Sequence, residues 1–191
     1  SGLDALVMDI KTGNGAFAAN YEMAKKLAQS IADVSGSAGV PTNCLITDMS
    51  QVLGHSVGNA TEVSECINFL VEPDNANQRL MELTLELAAH MLLLSGIESD
   101  LVSAKTKSQE ALSSGKAASI FEQMIHSLGG PIDLMENINR YLTPMPIISP
   151  IVSTSSGYVS EMNAREIGLS MIHLKAGRTK SIDPIDHGVG L

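Results

Sequence analysis

The stretch that decides the fold is ALVMDIKTGNGAF, residues 5–17. Five of its first six residues are apolar, and a lysine, a threonine and two spaced glycines follow. A short apolar run that ends at a glycine-rich turn is typical of a buried strand that delivers a loop to the carboxyl edge of a sheet. Ligands of open α/β proteins bind at that edge. The sequence therefore predicts a strand and a glycine loop, followed almost at once by a helix.

A helix and a second strand complete this unit. Residues 21–35 carry an apolar stripe at helical spacing, with Asn20 placed to cap the helix and Gly36 to end it. Residues 40–48 (VPTNCLITD) are apolar and partly β-branched, which predicts a strand. Two strands joined by a helix are normally parallel. We expect an α/β fold with a partial mixed or parallel sheet and flanking helices.

Further helices are predicted downstream. Asn59 and Glu62 have the spacing of a capping box at the start of the first one. Its apolar face is predicted to carry Val63, Cys66, Ile67 and Leu70. The helix at residues 80–97 is apolar nearly all round, so we expect it to be buried on most sides. The other helices are predicted over residues 98–113, 116–128 and 133–142.

The character of the chain changes at Thr143. Prolines interrupt the apolar pairs that follow, which indicates a linker running into strand-like pieces. Residues 163–176 have the spacing of a helix. We expect residues 1–142 to be part of a central α/β domain. Residues 143–191 are expected to be a linker and the beginning of a small α+β domain.

Composition narrows the class of protein. The formal net charge is −9 and no Lys/Arg cluster occurs, which argues against nucleic acid or a membrane surface as partner. No apolar run is long enough to span a bilayer, and no secretory signal is visible. We expect Cys44 and Cys66 to be reduced core residues of a cytoplasmic protein. The chain lacks an initiating Met and starts almost directly on a strand, so we expect an excised fragment.

The glycine loop allows two interpretations. Backbone N–H groups of Gly13 and Gly15, with Lys11 beside them, could cradle an anion. A glycine pair after a strand is more often only a tight turn, and Lys11 could equally be solvated or paired with a carboxylate.

Glu65 also allows two interpretations. It lies one turn beyond Glu62, and helix side chains lean toward the N-terminus, so its carboxylate can reach back over the loop that enters the helix. With the carbonyls of Leu53 and Ser56 it would form an all-oxygen site for a hard cation. Alternatively, Glu65 merely accepts loop N–H groups.

Several motifs occur in a fixed order along the whole chain. They are LDALVMDIK and GNGAF within residues 3–17, ITDMSQ at 46–51, VGNATEV at 57–63, SSGKA at 113–117, GYVSEM at 157–162, and ID and VG within 185–190. Together they closely resemble the thymidine and pyrimidine-nucleoside phosphorylases. A related archaeal branch that acts on nucleoside monophosphates shares many of them, whereas anthranilate phosphoribosyltransferase shares only a fold and a glycine loop.

The resemblance implies reversible phosphorolysis of thymidine or other pyrimidine nucleosides, which gives free base and (deoxy)ribose 1-phosphate. The family's phosphate loop and base-holding residues are expected upstream of Ser1, so no catalytic residue is assigned in this chain. We expect a substrate pocket lined by Lys11, Gly13, Gly15, Ala16 and Phe17. The resemblance further implies a K⁺ or Ca²⁺ ion at Leu53, Ser56 and Glu65.

No organic cofactor is expected, phosphate is the co-substrate, and the resemblance implies a homodimer. The chain by itself is expected to be inactive. Two alternatives stay open at this point, namely a nucleoside-monophosphate phosphorylase and a non-catalytic scaffold module of the same fold.

Overall fold

A computed structural model describes residues 2–142 and 146–191 of the chain. Both predicted strands are present, as β1, Leu6–Thr12, and β2, Thr42–Asp48. They pair in parallel, with Leu6 opposite Thr42 and Thr12 opposite Asp48, so both strands end at one edge. Helix α1, Tyr21–Ser37, connects them and is capped by the Asn20 side chain, as predicted. A small core centred on Ile10, Ala18 and Ala24 joins α1 to the sheet. The α/β fold class is confirmed.

The remaining helices follow the predicted order, with shifted ends. They are α2, Ala60–Val71; α3, Gln78–Leu94; α4, Leu101–Ser113; α5, Lys116–Ser127; α6, Ile138–Tyr141; and α7, Ala164–His173. A 3₁₀ turn, Pro73–Asn75, separates α2 from α3. No helix within the two described ranges is long and apolar enough to cross a membrane.

The predicted capping box is wrong. Asn59 makes no side-chain bond to the first turn of α2, because its own backbone is helical (φ −95°, ψ −73°) rather than extended as a capping residue requires. Its amide nitrogen donates to the carbonyl oxygen of Ala176. Glu62 accepts a hydrogen bond from the backbone N–H of Gly58 rather than from that of Asn59. A long-range contact has replaced the local cap.

Burial departs from the sequence pattern at α2 and α3. On α2, Ile67 and Phe69 are buried, whereas Val63 is partly exposed and Cys66 is exposed, so Cys66 is not a core residue. Most of α3 is half-buried and only its Ala89 is fully buried. The reason is that the neighbours α3 has in the described ranges are chiefly the two strands and α4, which cover part of its circumference.

The C-terminal part contains α7 and long irregular segments. Strands were expected between residues 147 and 162, but the structure has none there, and Ile151 is 92% exposed. An apolar β-branched run forms a strand only where a partner edge accepts its hydrogen bonds, and among the described residues β1 and β2 pair with each other and not with this segment. The expected boundary at Thr143 lies outside the described residues. Asp183 and Asp186 accept backbone N–H bonds within turns.

Candidate functional site

Two loops meet at the carboxyl edge of the sheet. The β1 loop, residues 13–17, follows β1, and the β2 loop, residues 49–58, follows β2. The backbone N–H of Met49 donates to the carbonyl of Thr12 (2.6 Å), and that of Gly15 donates to the carbonyl of Met49 (3.0 Å). The parallel register that ends Thr12 opposite Asp48 brings the loops together, so this edge is the candidate site.

The β1 loop is a tight turn with its amides in use. The N–H groups of Gly13, Gly15 and Ala16 donate to the carbonyls of Ala18, Met49 and Gly13. Gly13 has φ of +117°, and a side chain there would approach the backbone nitrogen of Ser50 to 2.8 Å. Glycine is therefore required by conformation and by space. Because these three amides already donate to backbone carbonyls, they are not free to bind an anion, as the anion-cradle interpretation requires.

Lys11 is held on the face of the sheet by its neighbours. Its ammonium lies 2.6 Å from a carboxylate oxygen of Asp9 and 3.1 Å from the hydroxyl of Thr47. The Thr47 hydroxyl donates to the other Asp9 oxygen at 2.5 Å. All three side chains are half-buried, so Lys11 has few other conformations available. Of the two possibilities for Lys11, the paired one is what the structure shows.

Glu65 reaches back from α2 to the β2 loop, as the helix geometry predicted. Its two carboxylate oxygens accept the backbone N–H groups of His55 (2.7 Å) and Ser56 (2.9 Å). The carboxylate packs directly on Gly54, where an added side chain would lie 2.7 Å from the carboxyl carbon of Glu65. The arrangement fits the N–H-accepting interpretation and leaves further lone pairs on each oxygen.

Arg79, near the start of α3, fixes the other end of the β2 loop. Its guanidinium donates to the carbonyl oxygens of Asp48 (2.6 Å) and Val52 (3.2 Å) and contacts the Asp48 carboxylate (3.2 Å). A hydrogen bond from the backbone N–H of Ser50, with smaller help from Gln51 and Arg79, lowers the pKa of Asp48. The sequence did not identify this contact, because it joins residues far apart in the chain.

A cleft of about 290 Å³ opens between the β2 loop, α2 and α7. Lys11 and all three predicted ion-site residues line it, and so do residues of α7 that the sequence did not single out. The residues that line the cleft include Lys11, Asp48, Leu53, Ser56, Glu65 and Gly168. Gly13, Gly15, Ala16 and Phe17 are not among the residues around this cleft, and Phe17 is 94% exposed.

A second cleft adjoins the first and shares Ser56, Glu65 and Leu80 with it. It measures about 580 Å³ and is lined by amide and hydroxyl side chains together with apolar ones. Its members include His55, Ser64, Asn68, Phe69, Asn77 and Asn139. Within the described residues, no group of three or more His, Cys, Asp or Glu side chains is placed to hold a metal ion. An ion here would therefore depend on carbonyl oxygens.

Comparison with known families identifies the class of protein. Residues 1–118 match the a/b domain of the glycosyl transferase family, and this match spans more than half of the chain. The chain belongs to that family. Residues 158–191 match the pyrimidine nucleoside phosphorylase C-terminal domain. The two matches confirm the resemblance to pyrimidine nucleoside phosphorylases that the motifs indicated.

Proposed function

We propose that this chain contributes one side of the nucleoside site in an enzyme that phosphorolyses thymidine or other pyrimidine nucleosides. The observation that carries the proposal is the pairing of the two matches on one chain. A glycosyl transferase a/b domain is followed by a pyrimidine nucleoside phosphorylase C-terminal domain, in that order. The cleft at the carboxyl edge, which residues from both matched regions line, supports the same assignment.

The proposed reaction replaces one bond at C1′ by another. The N-glycosidic bond breaks and its electron pair leaves with the base, which is then protonated, while a phosphate oxygen bonds to C1′. Positive charge grows on the sugar and negative charge on the base, so the site must hold phosphate beside C1′ and stabilise the leaving base. Lys11, which lines the cleft, is a positive group already fixed in place by Asp9 and Thr47.

Phosphate is expected to bind chiefly to residues outside this chain. The amides of Gly13, Gly15 and Ala16 are occupied by backbone carbonyls, and the net charge of −9 disfavours an anion. We therefore propose that the complete protein supplies the phosphate loop and the base-holding side chains. Ala16 and Phe17 are proposed to border the base, which the full exposure of Phe17 allows.

A cation is proposed at the mouth of the cleft. Leu53, Ser56 and Glu65 line the same space, and oxygen ligands from carbonyls and one carboxylate suit K⁺ or Ca²⁺. Calorimetric titration of the complete protein with each ion tests this, with Glu65→Gln compared against Glu62→Gln. We expect Glu65→Gln alone to weaken ion binding. Equal affinity in the two variants would remove Glu65 from the site.

The activity test measures phosphate-dependent release of thymine from thymidine. We expect the complete protein encoded by the reading frame to release thymine, and we expect the 191-residue chain alone to release none. Failure of the complete protein on thymidine, uridine and nucleoside monophosphates would contradict the proposal, and rapid turnover by the chain alone would contradict the divided site. Lys11→Met should lower kcat/KM, whereas Lys25→Met, on the exposed surface of α1, is the matched control.

A further inference from the structure

An asparagine of the β1 loop, Asn14, holds the N-terminal end of α7 to the α/β part. The side-chain amide of Asn14 donates to the carbonyl of Met162 (2.8 Å), and its carbonyl oxygen accepts from the backbone N–H of Ala164 (2.9 Å). Both groups of one amide are thus used across 148 and 150 residues of sequence. The adjoining Gly15 has no room for a side chain, since its Cβ would lie 2.8 Å from that of Ala164.

A second asparagine holds the chain just beyond the C-terminal end of α7. Asn59 donates its side-chain N–H to the carbonyl of Ala176 at 2.8 Å. This is the side chain that the sequence pattern assigned to the cap of α2. Nearby backbone contacts join the same regions, with Gly58 bridging Gly190 in antiparallel fashion and Ala60 donating to His187.

Between these two anchors, α7 forms a wall of the 290 Å³ cleft. Ala164, Ile167 and Gly168 line it opposite the β2 loop and Lys11. A side chain at Gly168 would meet no atom within 4 Å, so this part of the wall is open toward the cleft. The distance of α7 from the β2 loop therefore sets the width of the cleft at this point.

We propose that Asn14 and Asn59 are positioning residues that fix α7 across the carboxyl edge of the sheet and thereby set the width of the nucleoside cleft. The consequence for nucleoside binding rests on the proposed function; the anchoring of α7 does not. Neither asparagine has to touch the reacting atoms. Each orients the wall from one end. Asn14 lies in the β1 loop and Asn59 directly follows the β2 loop, and the two loops meet at the sheet edge.

The anchoring is tested by amide hydrogen exchange of the 191-residue chain, resolved by residue. In Asn14→Ala, the Ala164 amide and those of the first turns of α7 should exchange about fivefold faster or more, since one neutral hydrogen bond typically contributes such a ratio. Asn14→Asp keeps the acceptor for Ala164 at a helix N-terminus and should restore most of that protection. We expect Asn59→Ala to speed amide exchange around Ala176.

Matched controls separate anchoring from the stability of α7 itself. Asn163→Ala removes the cap that accepts from Glu166 and keeps the backbone groups to which Asn14 bonds. Asn20→Ala removes a cap on α1, remote from α7. We expect Asn163→Ala to speed exchange in the first turn of α7 and Asn20→Ala to leave α7 unchanged. Because the two anchors hold one helix, the Asn14→Ala and Asn59→Ala effects should be non-additive.

The complete protein supplies the second readout. Both alanine variants should raise KM for the nucleoside about fivefold with kcat changed less, because a misplaced wall weakens binding more than chemistry. Asn163→Ala should leave KM unchanged. Unchanged exchange in α7, or equal KM effects in Asn14→Ala and Asn163→Ala, would overturn the positioning role. Loss of wild-type phosphorolysis would instead overturn the proposed function, and the exchange result would stand on its own.

Discussion

The β1 loop and the β2 loop lie at the same edge of the sheet but are held in different ways. The Glu65 carboxylate, on the helix that follows the β2 loop, accepts the N–H groups of His55 and Ser56. Arg79 and the C-terminal residues Gly190 and Leu191 add contacts to the β2 loop from farther along the chain. The β1 loop is closed by its own backbone amides, and its Asn14 side chain bonds to the start of α7, near the far end of the chain. The Glu65 contact is therefore local, whereas the Asn14 contact reports on the docking of the C-terminal part.

Removing the Glu65 carboxylate should destabilise the β2 loop most severely. Glu65→Ala leaves two backbone N–H groups without their charged acceptor, and we expect a loss of roughly 3 kcal/mol in the free energy of unfolding. Urea denaturation at neutral pH measures this loss. The matched control is Glu62→Gln, which alters one bond to Gly58 in the same loop and should cost under about 1 kcal/mol. Equal losses would show that the β2 loop does not depend on Glu65.

A side chain at Gly13 should distort the β1 loop. Gly13→Ala forces a non-glycine residue to φ of +117° against the backbone of Ser50, and we expect a cost of about 2 kcal/mol. Gly36→Ala is the control, because Gly36 lies in α1 with open space around it and alanine there should be neutral or stabilising. Thermal unfolding compares the two. A neutral Gly13→Ala would mean that the turn is not needed.

Acid should weaken the junction between the loops slightly. The pKa of Asp48 is lowered in the folded state, chiefly by the Ser50 N–H, so its contribution to stability is present above the unfolded pKa of about 3.9 and is lost as pH falls through the lower folded pKa. Because the group is largely exposed, we expect less than about 1 kcal/mol. Comparing wild type with Asp48→Asn in urea at pH 7 and pH 3 should show a larger difference at pH 7. A difference independent of pH would contradict this linkage.

The sequence predicted best the parts of the molecule that local chemistry determines. The strand at Leu6–Thr12, the Asn20 cap of α1 and the reach of Glu65 all follow from residues within a few turns of one another. The Asn59 cap is absent because the backbone of Asn59 is helical rather than extended, and its amide nitrogen bonds to Ala176, more than a hundred residues away. No periodicity reports such a distant partner, and the same holds for Arg79 at Asp48 and for α7 at the cleft.

Dependence on distant partners also explains why the strands expected after Thr143 are absent. Their composition is β-branched, but a strand requires a partner edge that no local pattern supplies. The candidate site shows the same division. The sequence grouped Leu53, Ser56 and Glu65 as one predicted ion site, but their position beside Lys11 and opposite Gly168 depends on how the chain folds and docks.

The central claim is that the carboxyl edge of the sheet, with the β1 loop, forms one side of a nucleoside cleft. The most direct measurement is residue-resolved hydrogen exchange of the complete protein with and without thymidine and phosphate. We expect added protection at residues 11–17 and along the cleft side of α7. Protection confined to the larger cleft around Asn68 and Asn77, or no change at residues 11–17 while the enzyme turns over, would contradict the claim.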